Sequence, residues 1–227
     1  MRLVIGNKVY SSWSLRPWIV MKAFAIAFEE TTVQLREGDT RDRILEHSPS
    51  GKVPVLIDVA TTVWDSLAII EYLADKYPEH AIWPSDRHAR AHARSASAEM
   101  HAGFQALRTA CSMNVTRRFK ARDRGEAVAA DVVRITALWR EARAKFGGAG
   151  PFLYGGFCAA DGMFAPVVTR FHSYSIAVDP VSQAYMDALL AHPAYKAWLA
   201  GAVAEPWGLD NGEAAETIIE DLRARKA

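Results

Sequence analysis

Three serines lie where the chain passes from a predicted strand into a predicted helix. The apolar run at residues 3–5 predicts the strand, and the apolar-rich segment from about Ser14 to Ala27 predicts the helix. Ser11 and Ser12 fall between the two elements. A helix start leaves backbone N–H groups unpaired and carries a partial positive charge, so it favours an anion such as a thiolate. The alternative is that one of these hydroxyls only caps the helix.

Strands and helices alternate along the first 77 residues. After the first helix, the patterns predict a strand at Thr31–Leu35, a short helix near Arg41–Glu46, strands at Val55–Ile57 and Thr61–Trp64, and a helix at Leu67–Lys76. The first strand, long helix and second strand imply a right-handed crossover with parallel pairing. This order is that of a thioredoxin-like α/β domain, which we place at residues 1–77.

The second part of the chain reads as helical throughout. Residues 78–84 contain two prolines and no periodicity, which predicts a linker. In the region 85–227 we expect only helices, because no convincing strand pattern follows the linker. Helices are predicted at about 86–110, 126–146, 161–172, 180–191 and 193–204, with a last amphipathic piece at 213–225. The segment 161–172 is apolar enough to be buried on all sides.

Composition excludes several classes of function. The net charge is +1 and the basic residues are spread along the chain, so no nucleic-acid surface is expected. No apolar run approaches the roughly 18 residues that span a membrane, and no signal peptide is expected. Cys111 and Cys158 have no metal-ligand spacing, and we expect them to be reduced thiols in a cytoplasmic protein that binds no metal.

Three motifs, in this order and with these gaps, resemble those of cytosolic glutathione transferases. The segment 11–16, Ser-Ser-Trp-Ser-Leu-Arg, is similar to the serine motif Ser-Ser-Cys-Ser-Trp-Arg of the zeta class, which includes maleylacetoacetate isomerases. The segment 52–56, Lys-Val-Pro-Val-Leu, resembles the one that pairs its backbone with glutathione. The segment 65–73, from Asp65 to Leu73, resembles the motif that holds the γ-glutamyl end. The resemblance covers essentially the whole chain and implies an α/β thioredoxin-like domain followed by an all-α domain.

The resemblance implies a serine that activates the thiol of glutathione. A free thiol ionises near a pKa of about 8.5, and lowering that value by two units requires about 2.7 kcal/mol of preferential stabilisation of the anion. A serine O–H donor and the dipole of the following helix are of the right size. Alignment with the family motif makes Ser11 the donor, while the adjacent Ser12 remains an alternative; Ser14 is expected to belong to the helix start.

Five further residues are implied to bind glutathione. The α-amino group is expected at Asp65, and the α-carboxylate at the hydroxyl of Ser66, which is also the expected N-cap of its helix. Val53 is expected to pair its main chain with the cysteinyl backbone, beside a cis Pro54. Lys52 suits the glycyl carboxylate, although it also fits a solvated surface lysine.

The second substrate is expected against the first helix of the C-terminal region. Met100, Phe104 and Arg108 fall on one face at helical spacing, with His101 beside them. The two apolar side chains would form a wall, and Arg108 would hold an acidic substrate or stabilise developing charge. Alternatively, the apolar pair belongs to the core, Arg108 is a surface charge and His101 is structural. Trp13 replaces the cysteine of the zeta motif and makes the pocket bulkier.

The leading hypothesis is an enzyme, a glutathione transferase with a detoxification role. It would use glutathione for conjugation to, or isomerisation of, an electrophilic small molecule, and the resemblance implies a homodimer. The alternative is a non-catalytic glutathione-binding or regulatory protein of the same fold. A thiol–disulfide reductase is disfavoured because positions 11–14 contain no cysteine. One motif departs from the family: Cys158 replaces the hydroxyl that normally caps the buried helix with Asp161.

Overall fold

The first part of the chain forms a four-stranded mixed sheet. The computed structural model describes residues 1–207, 213 and 215–223. The strands are β1 (Arg2–Gly6), β2 (Glu29–Val33), β3 (Val55–Asp58) and β4 (Thr61–Val63). They lie in the order β2-β1-β3-β4, with β1 and β2 parallel and the other two pairs antiparallel. The predicted α/β thioredoxin-like order is confirmed, although β2 begins two residues earlier than expected.

Three helices accompany this sheet. They are α1 (Ser12–Ala23), α2 (Thr40–Leu45) and α3 (Ser66–Lys76), and a short 3-10 helix at Pro78–His80 follows. The first and third pack together, and α1 is also covered by helices of the C-terminal region. Leu3 and Ile5 of β1 and the buried apolar side chains of α1 therefore belong to one core that continues into the second half of the molecule, while Val4 packs in a smaller cluster with Val33, Ile44 and Val55.

The C-terminal region is mainly helical, as predicted. It contains the helices α4 (Arg87–Ala102), α5 (Gln105–Ala110), α6 (Glu126–Phe146), α7 (Ala159–Ser173), α8 (Pro180–Ala191) and α9 (Pro193–Ala204). Within the described residues, no helix is both long and apolar enough to cross a membrane.

The helix α7 is the centre of the molecule. Only His172 of its 15 residues is not buried, so the expectation of burial on all sides is confirmed. It packs against α1 and α4. Gly162 permits the approach to α1, because a Cβ atom there would lie 2.4 Å from a methyl group of Val20. The Asp161 carboxylate accepts the N–H of Cys158 at 2.8 Å, and the Cys158 side chain faces the N–H of Asp161 in turn, so both halves of the capping arrangement are kept with a thiol in place of the hydroxyl.

Two expectations for the C-terminal region were wrong. The predicted helix 86–110 is interrupted, because Gly103 is extended and Phe104 adopts a left-handed backbone with φ of 60°. Strands also occur there: β5 (Arg117–Phe119) pairs antiparallel with β6 (Ile218–Asp221), so the predicted amphipathic piece 213–225 contains a strand. Its residues 214, 224 and 225 lie outside the described residues.

Candidate active site

A cavity of about 650 Å³ opens at one end of the strands, beside the start of α1. It brings together predicted residues that are more than 50 positions apart in the sequence. Among the residues lining it are Trp13, Lys52, Val53, Pro54, Trp64 and Asp65. Ser11, Ser12 and Ser66 are buried and are not part of this lining, but Ser12 adjoins Trp13 and Ser66 adjoins Asp65 in the chain, and Ser11 lies one residue further away.

The serines surround a helix start with unpaired N–H groups. Ser11 occupies the N-cap position of α1, yet its side chain makes no capping hydrogen bond. Its hydroxyl donates instead to the Ser14 hydroxyl at 2.8 Å, which also accepts the N–H of Gly6 at 3.1 Å. The Ser12 hydroxyl has no hydrogen-bond partner in the part of the chain that the structure describes. Ser14 thus ties the helix start to β1. The Ser12 O–H is free to donate to a ligand, whereas the single O–H of Ser11 can do so only by turning away from Ser14.

The segment before β3 offers free main-chain groups. The Val53–Pro54 peptide bond is cis, as the resemblance implied. The N–H and C=O groups of Val53 have no hydrogen-bond partner among the described residues. Lys52 is exposed at the same cavity. This arrangement suits a peptide ligand that adds alongside the segment as a short strand.

Asp65, not Ser66, caps α3. One carboxylate oxygen of Asp65 accepts the N–H of Leu67 at 3.1 Å, and the expectation that Ser66 is the N-cap was therefore wrong. Ser66 is the first residue of the helix, and its buried hydroxyl accepts a hydrogen bond from Nη1 of Arg16 at 3.3 Å. The guanidinium of Arg16 therefore fixes the position of the Ser66 hydroxyl, next to the lining residue Asp65.

Arg16 is fully buried, and no carboxylate in the described part of the chain forms a salt bridge with it. Its guanidinium contacts Ser66, the Nδ1 atom of His101 at 3.4 Å, and the Trp13 ring at 4.0 Å from the centroid. Its Nε atom has no partner among the described residues. Burial lowers the pKa of Arg16 well below its usual value, and the charge of Arg108 lowers it further. An anion nearby would offset this cost.

His101 links Arg16 to Asp65. Its Nε2 atom lies 3.0 Å from a carboxylate oxygen of Asp65, and its ring packs edge-on against Trp13. Burial lowers the pKa of His101; Asp65 opposes that shift, while Arg16 and Arg108 add to it. The neutral ring fits both contacts, since Nδ1 then accepts from Arg16 and the Nε2–H group donates to Asp65.

Met100, Phe104 and Arg108 do not share one helical face, contrary to expectation. The break before α5 separates Met100 from the other two. Met100 and Phe104 are buried in the core and do not line the cavity. The Arg108 guanidinium folds back onto the end of α4, donating to the carbonyl groups of Met100, His101 and Gly103. Its centre lies 5.3 Å from the Trp13 ring, so it still reaches the site.

A second buried arginine, Arg170, was not anticipated. Arg170, on α7, donates to the carbonyl of Cys111 at 2.9 Å and to that of Pro166 at 3.1 Å. Burial lowers the pKa of Arg170 to about 10, and Arg108 contributes to the shift. The signal was present in the sequence: Arg170 is the one basic residue between Ala159 and Phe171, in an otherwise apolar segment.

A separate cavity of about 510 Å³ lies at the start of α6. Its lining includes Arg122, Arg124, Val132 and Tyr174, and it contains none of the predicted site residues. The predicted site residues that line a cavity therefore line the one beside α1.

Comparison with known proteins identifies the fold and the family of the N-terminal part of the chain. Residues 10–76 match the family model described as glutathione S-transferase, N-terminal domain. A glutathione transferase homolog from Burkholderia, solved with bound glutathione, has a TM-score of 0.68 and is 25% identical, covering 88% of this chain and 97% of that one. The chain therefore carries a glutathione S-transferase N-terminal domain and has the glutathione transferase fold.

The curated relatives confirm the resemblance to the zeta class. A probable maleylacetoacetate isomerase of Caenorhabditis elegans is 36% identical over 103 residues, which are 44% of this chain and 48% of that protein. Glutathione S-transferase Z2 of Arabidopsis thaliana is 38% identical over 103 residues, which are 43% of this chain and 46% of the relative. The matched region spans about half the length of these relatives.

Proposed function

We propose that this protein is a glutathione transferase that binds glutathione as its co-substrate and stabilises its thiolate at the start of α1. The observation that supports this most strongly is the pair of hydroxyls, on Ser11 and Ser12, at a helix start without side-chain caps. Hydroxyl donors and the helix dipole both favour the anionic form of a thiol. The serine acts as a hydrogen-bond donor and does not itself need to lose a proton.

The cavity suits the rest of the tripeptide. We assign the γ-glutamyl amino group to Asp65 and its carboxylate to Ser66 with the N–H groups that begin α3. The cysteinyl backbone pairs with the free main-chain groups of Val53, and the glycyl carboxylate meets Lys52. With these four contacts made, the sulfur of the bound tripeptide would face the serines at the start of α1.

The electrophile is proposed to carry a carboxylate. Arg16, Arg108 and Arg170 are buried or half-buried, and none forms a salt bridge with a carboxylate of the described residues. The Trp13 ring lies close to the guanidinium groups of both Arg16 and Arg108 and lines the cavity, so it would contact the electrophile. A bound carboxylate near Arg108 would compensate the charge, and the same cation would stabilise an enolate as it forms. Conjugation and glutathione-dependent isomerisation both fit this arrangement.

The test is turnover with two electrophiles of similar size, a neutral aryl halide and an unsaturated acid that bears a carboxylate. Glutathione-dependent consumption of either one supports the transferase, whereas binding of glutathione without turnover of any electrophile favours the binding-protein alternative. Arg108→Met is expected to raise the KM of the acid about tenfold, as loss of a charged hydrogen bond implies. The KM of the neutral halide should stay within about twofold.

Arg134→Met is the matched control for that variant. Arg134 is exposed on α6 and pairs with Glu99 on the surface, outside the cavity. The Arg134→Met variant should leave the KM values of both the acid and the halide unchanged. An equal effect of Arg108→Met on the acid and on the halide would contradict the assignment of Arg108 to the carboxylate. The homodimer is a further part of the proposal, which rests on the resemblance and is tested by light scattering of the purified protein.

A further inference from the structure

The main chain of Lys8 and Val9, just before the serines, forms its hydrogen bonds with residues of the C-terminal region. The Lys8 and Val9 N–H groups both donate to the Glu205 carboxylate, the second at 3.3 Å. The Lys8 carbonyl accepts the indole N–H of Trp198 at 2.9 Å, and the Val9 carbonyl accepts the N–H of Val115 at 3.0 Å. All four main-chain groups of two consecutive residues are therefore bonded to three distant parts of the chain.

This segment determines where the serines lie. Val9 is separated from Ser11 by one residue, and the Ser11 N–H donates to the carbonyl of Asn7 at 2.9 Å. Lys8 and Val9 are both buried. A shift of the Lys8–Val9 peptide would thus be passed to Ser11 and Ser12 through two residues of chain.

Glu205 makes two of these four hydrogen bonds, and it is the only charged side chain among the three partners. Its carboxylate binds main-chain N–H groups instead of a cation. The carboxylate forms no salt bridge with a described cation, and both of its oxygens accept from backbone N–H groups. Lys8 directs its ammonium group to Glu30 instead. Arg223 donates to the main-chain carbonyl of Glu205 at 2.7 Å, which fixes the residue from behind. A partly buried carboxylate with only these partners serves to orient the loop.

We propose that Glu205 is a positioning residue for the thiolate site, holding the Lys8–Val9 peptide so that the serine hydroxyls point at the glutathione sulfur. The inference rests on the proposed function for its catalytic consequence. A misplacement of about 1 Å in a preorganised site can cost up to about a hundredfold in rate, so a contact remote from the sulfur can matter.

The informative variant is Glu205→Gln. It keeps the size of the side chain but replaces one acceptor oxygen with an NH₂ group, which would face a backbone N–H donor. At least one of the two bonds to Lys8 and Val9 is then lost. The matched control is Glu216→Gln, which removes a mostly buried carboxylate that pairs with Arg122 and Arg124, outside the cavity of the site.

Two measurements on each variant separate positioning from stability. The first is the pKa of the glutathione thiol bound to the protein, followed by its thiolate absorbance. We expect Glu205→Gln to raise that pKa by about half a unit to one unit and to lower kcat roughly tenfold. The KM for glutathione should change less than threefold. Glu216→Gln should leave the thiol pKa and kcat unchanged while lowering thermal stability.

The second measurement is hydrogen exchange of the Lys8 and Val9 amides in the ligand-free protein. Exchange should accelerate roughly tenfold in Glu205→Gln relative to Glu216→Gln. Faster exchange together with a raised thiol pKa supports the proposal. Unchanged exchange, or a thiol pKa that both variants raise equally, overturns it. A wild type that leaves the thiol pKa unshifted refutes the proposed function instead, and the exchange experiment still decides whether Glu205 holds the loop.

Discussion

Asp65 has two roles at the scale of single residues. One carboxylate oxygen caps α3 by accepting the N–H of Leu67. The other lies 3.0 Å from Nε2 of His101. Its side chain is about half exposed, so a ligand's amino group can still reach it. The charge of Asp65 is therefore expected to contribute to glutathione binding separately from its cap.

Asp65→Asn separates the cap from the charge. The amide oxygen can still accept the Leu67 N–H, but the negative charge for the γ-glutamyl amino group is lost. We expect the Kd for glutathione to rise about tenfold, measured by isothermal titration calorimetry, with the melting temperature almost unchanged. Asp86→Asn is the control, because Asp86 caps α4 in the same way outside the cavity. An equal loss of affinity in both variants would argue against the assigned contact.

The sequence predicted which residues line the cavity better than it predicted which of them contact each other. The positions of Trp13, Lys52, Val53, Pro54 and Asp65 at one cavity follow from motifs in the order of a known family. The pairing of Arg16 with Ser66 and of His101 with Asp65 could not be predicted in the same way. Those contacts depend on how α1 packs against α3 and on where the end of α4 lies relative to the start of α3, which no local pattern encodes.

At the scale of elements, helix ends marked by glycine or proline were predicted to the residue. The helices at 126–146, 180–191 and 193–204 were predicted with the observed bounds. Gly125 and Gly147 flank the first of these, and Pro180 and Pro193 begin the other two. The break at Phe104 was missed because a left-handed aromatic residue has no sequence signature. The β5–β6 pair was missed because two short strands about 100 residues apart show no alternation of their own.

Asp161 is the residue on which the start of α7 depends most. Its fully buried carboxylate accepts the N–H groups of Cys158 at 2.8 Å and Leu153 at 3.2 Å. Asp161→Ala leaves both donors unpaired in the core, so we expect the free energy of unfolding to fall by about 2–4 kcal/mol, measured by urea denaturation.

Asp86→Ala provides the comparison for a solvent-exposed cap. Asp86 accepts two N–H groups at the start of α4, but water can replace it there. The expected loss is about 1 kcal/mol. If the two variants were equally destabilised, the buried contacts of Asp161 would not have the importance assigned to them.

At the scale of the whole molecule, the two halves are joined through α1, and the β5–β6 pair attaches the end of the chain to the rest of the C-terminal region. α1 packs against α3, α7 and α9, so the helix that begins at the serines is enclosed by both parts of the chain. Near β6, Glu216 binds Arg122 and Arg124, which attaches the C-terminal segment to the loop before α6. The stability of this attachment should depend on pH.

Glu216 gives the expected direction of that dependence. Hydrogen bonds from Arg124 and Arg122 lower the pKa of Glu216 to about 2, below its usual value of 4.5. A lowered pKa means that the unfolded chain binds the proton more readily, so this contribution is present above pH 4.5 and is lost as the pH falls toward 2. Glu216→Gln should therefore be less stable than wild type at pH 7, and the difference should shrink in acid. Urea denaturation between pH 7 and pH 3 tests this, and a difference independent of pH would contradict it.

One titration shows whether the start of α1 activates the sulfur of glutathione. The thiolate absorbance of bound glutathione is followed against pH for the wild type, Ser11→Ala and Ser12→Ala. We expect a bound thiol pKa about two units below that of a free thiol, which is about 8.5, and a return toward the free value in Ser11→Ala. A larger effect of Ser12→Ala would transfer the role to Ser12, whose hydroxyl is free of described partners. Binding with an unshifted pKa in the wild type would contradict the claim that this helix start activates the thiol.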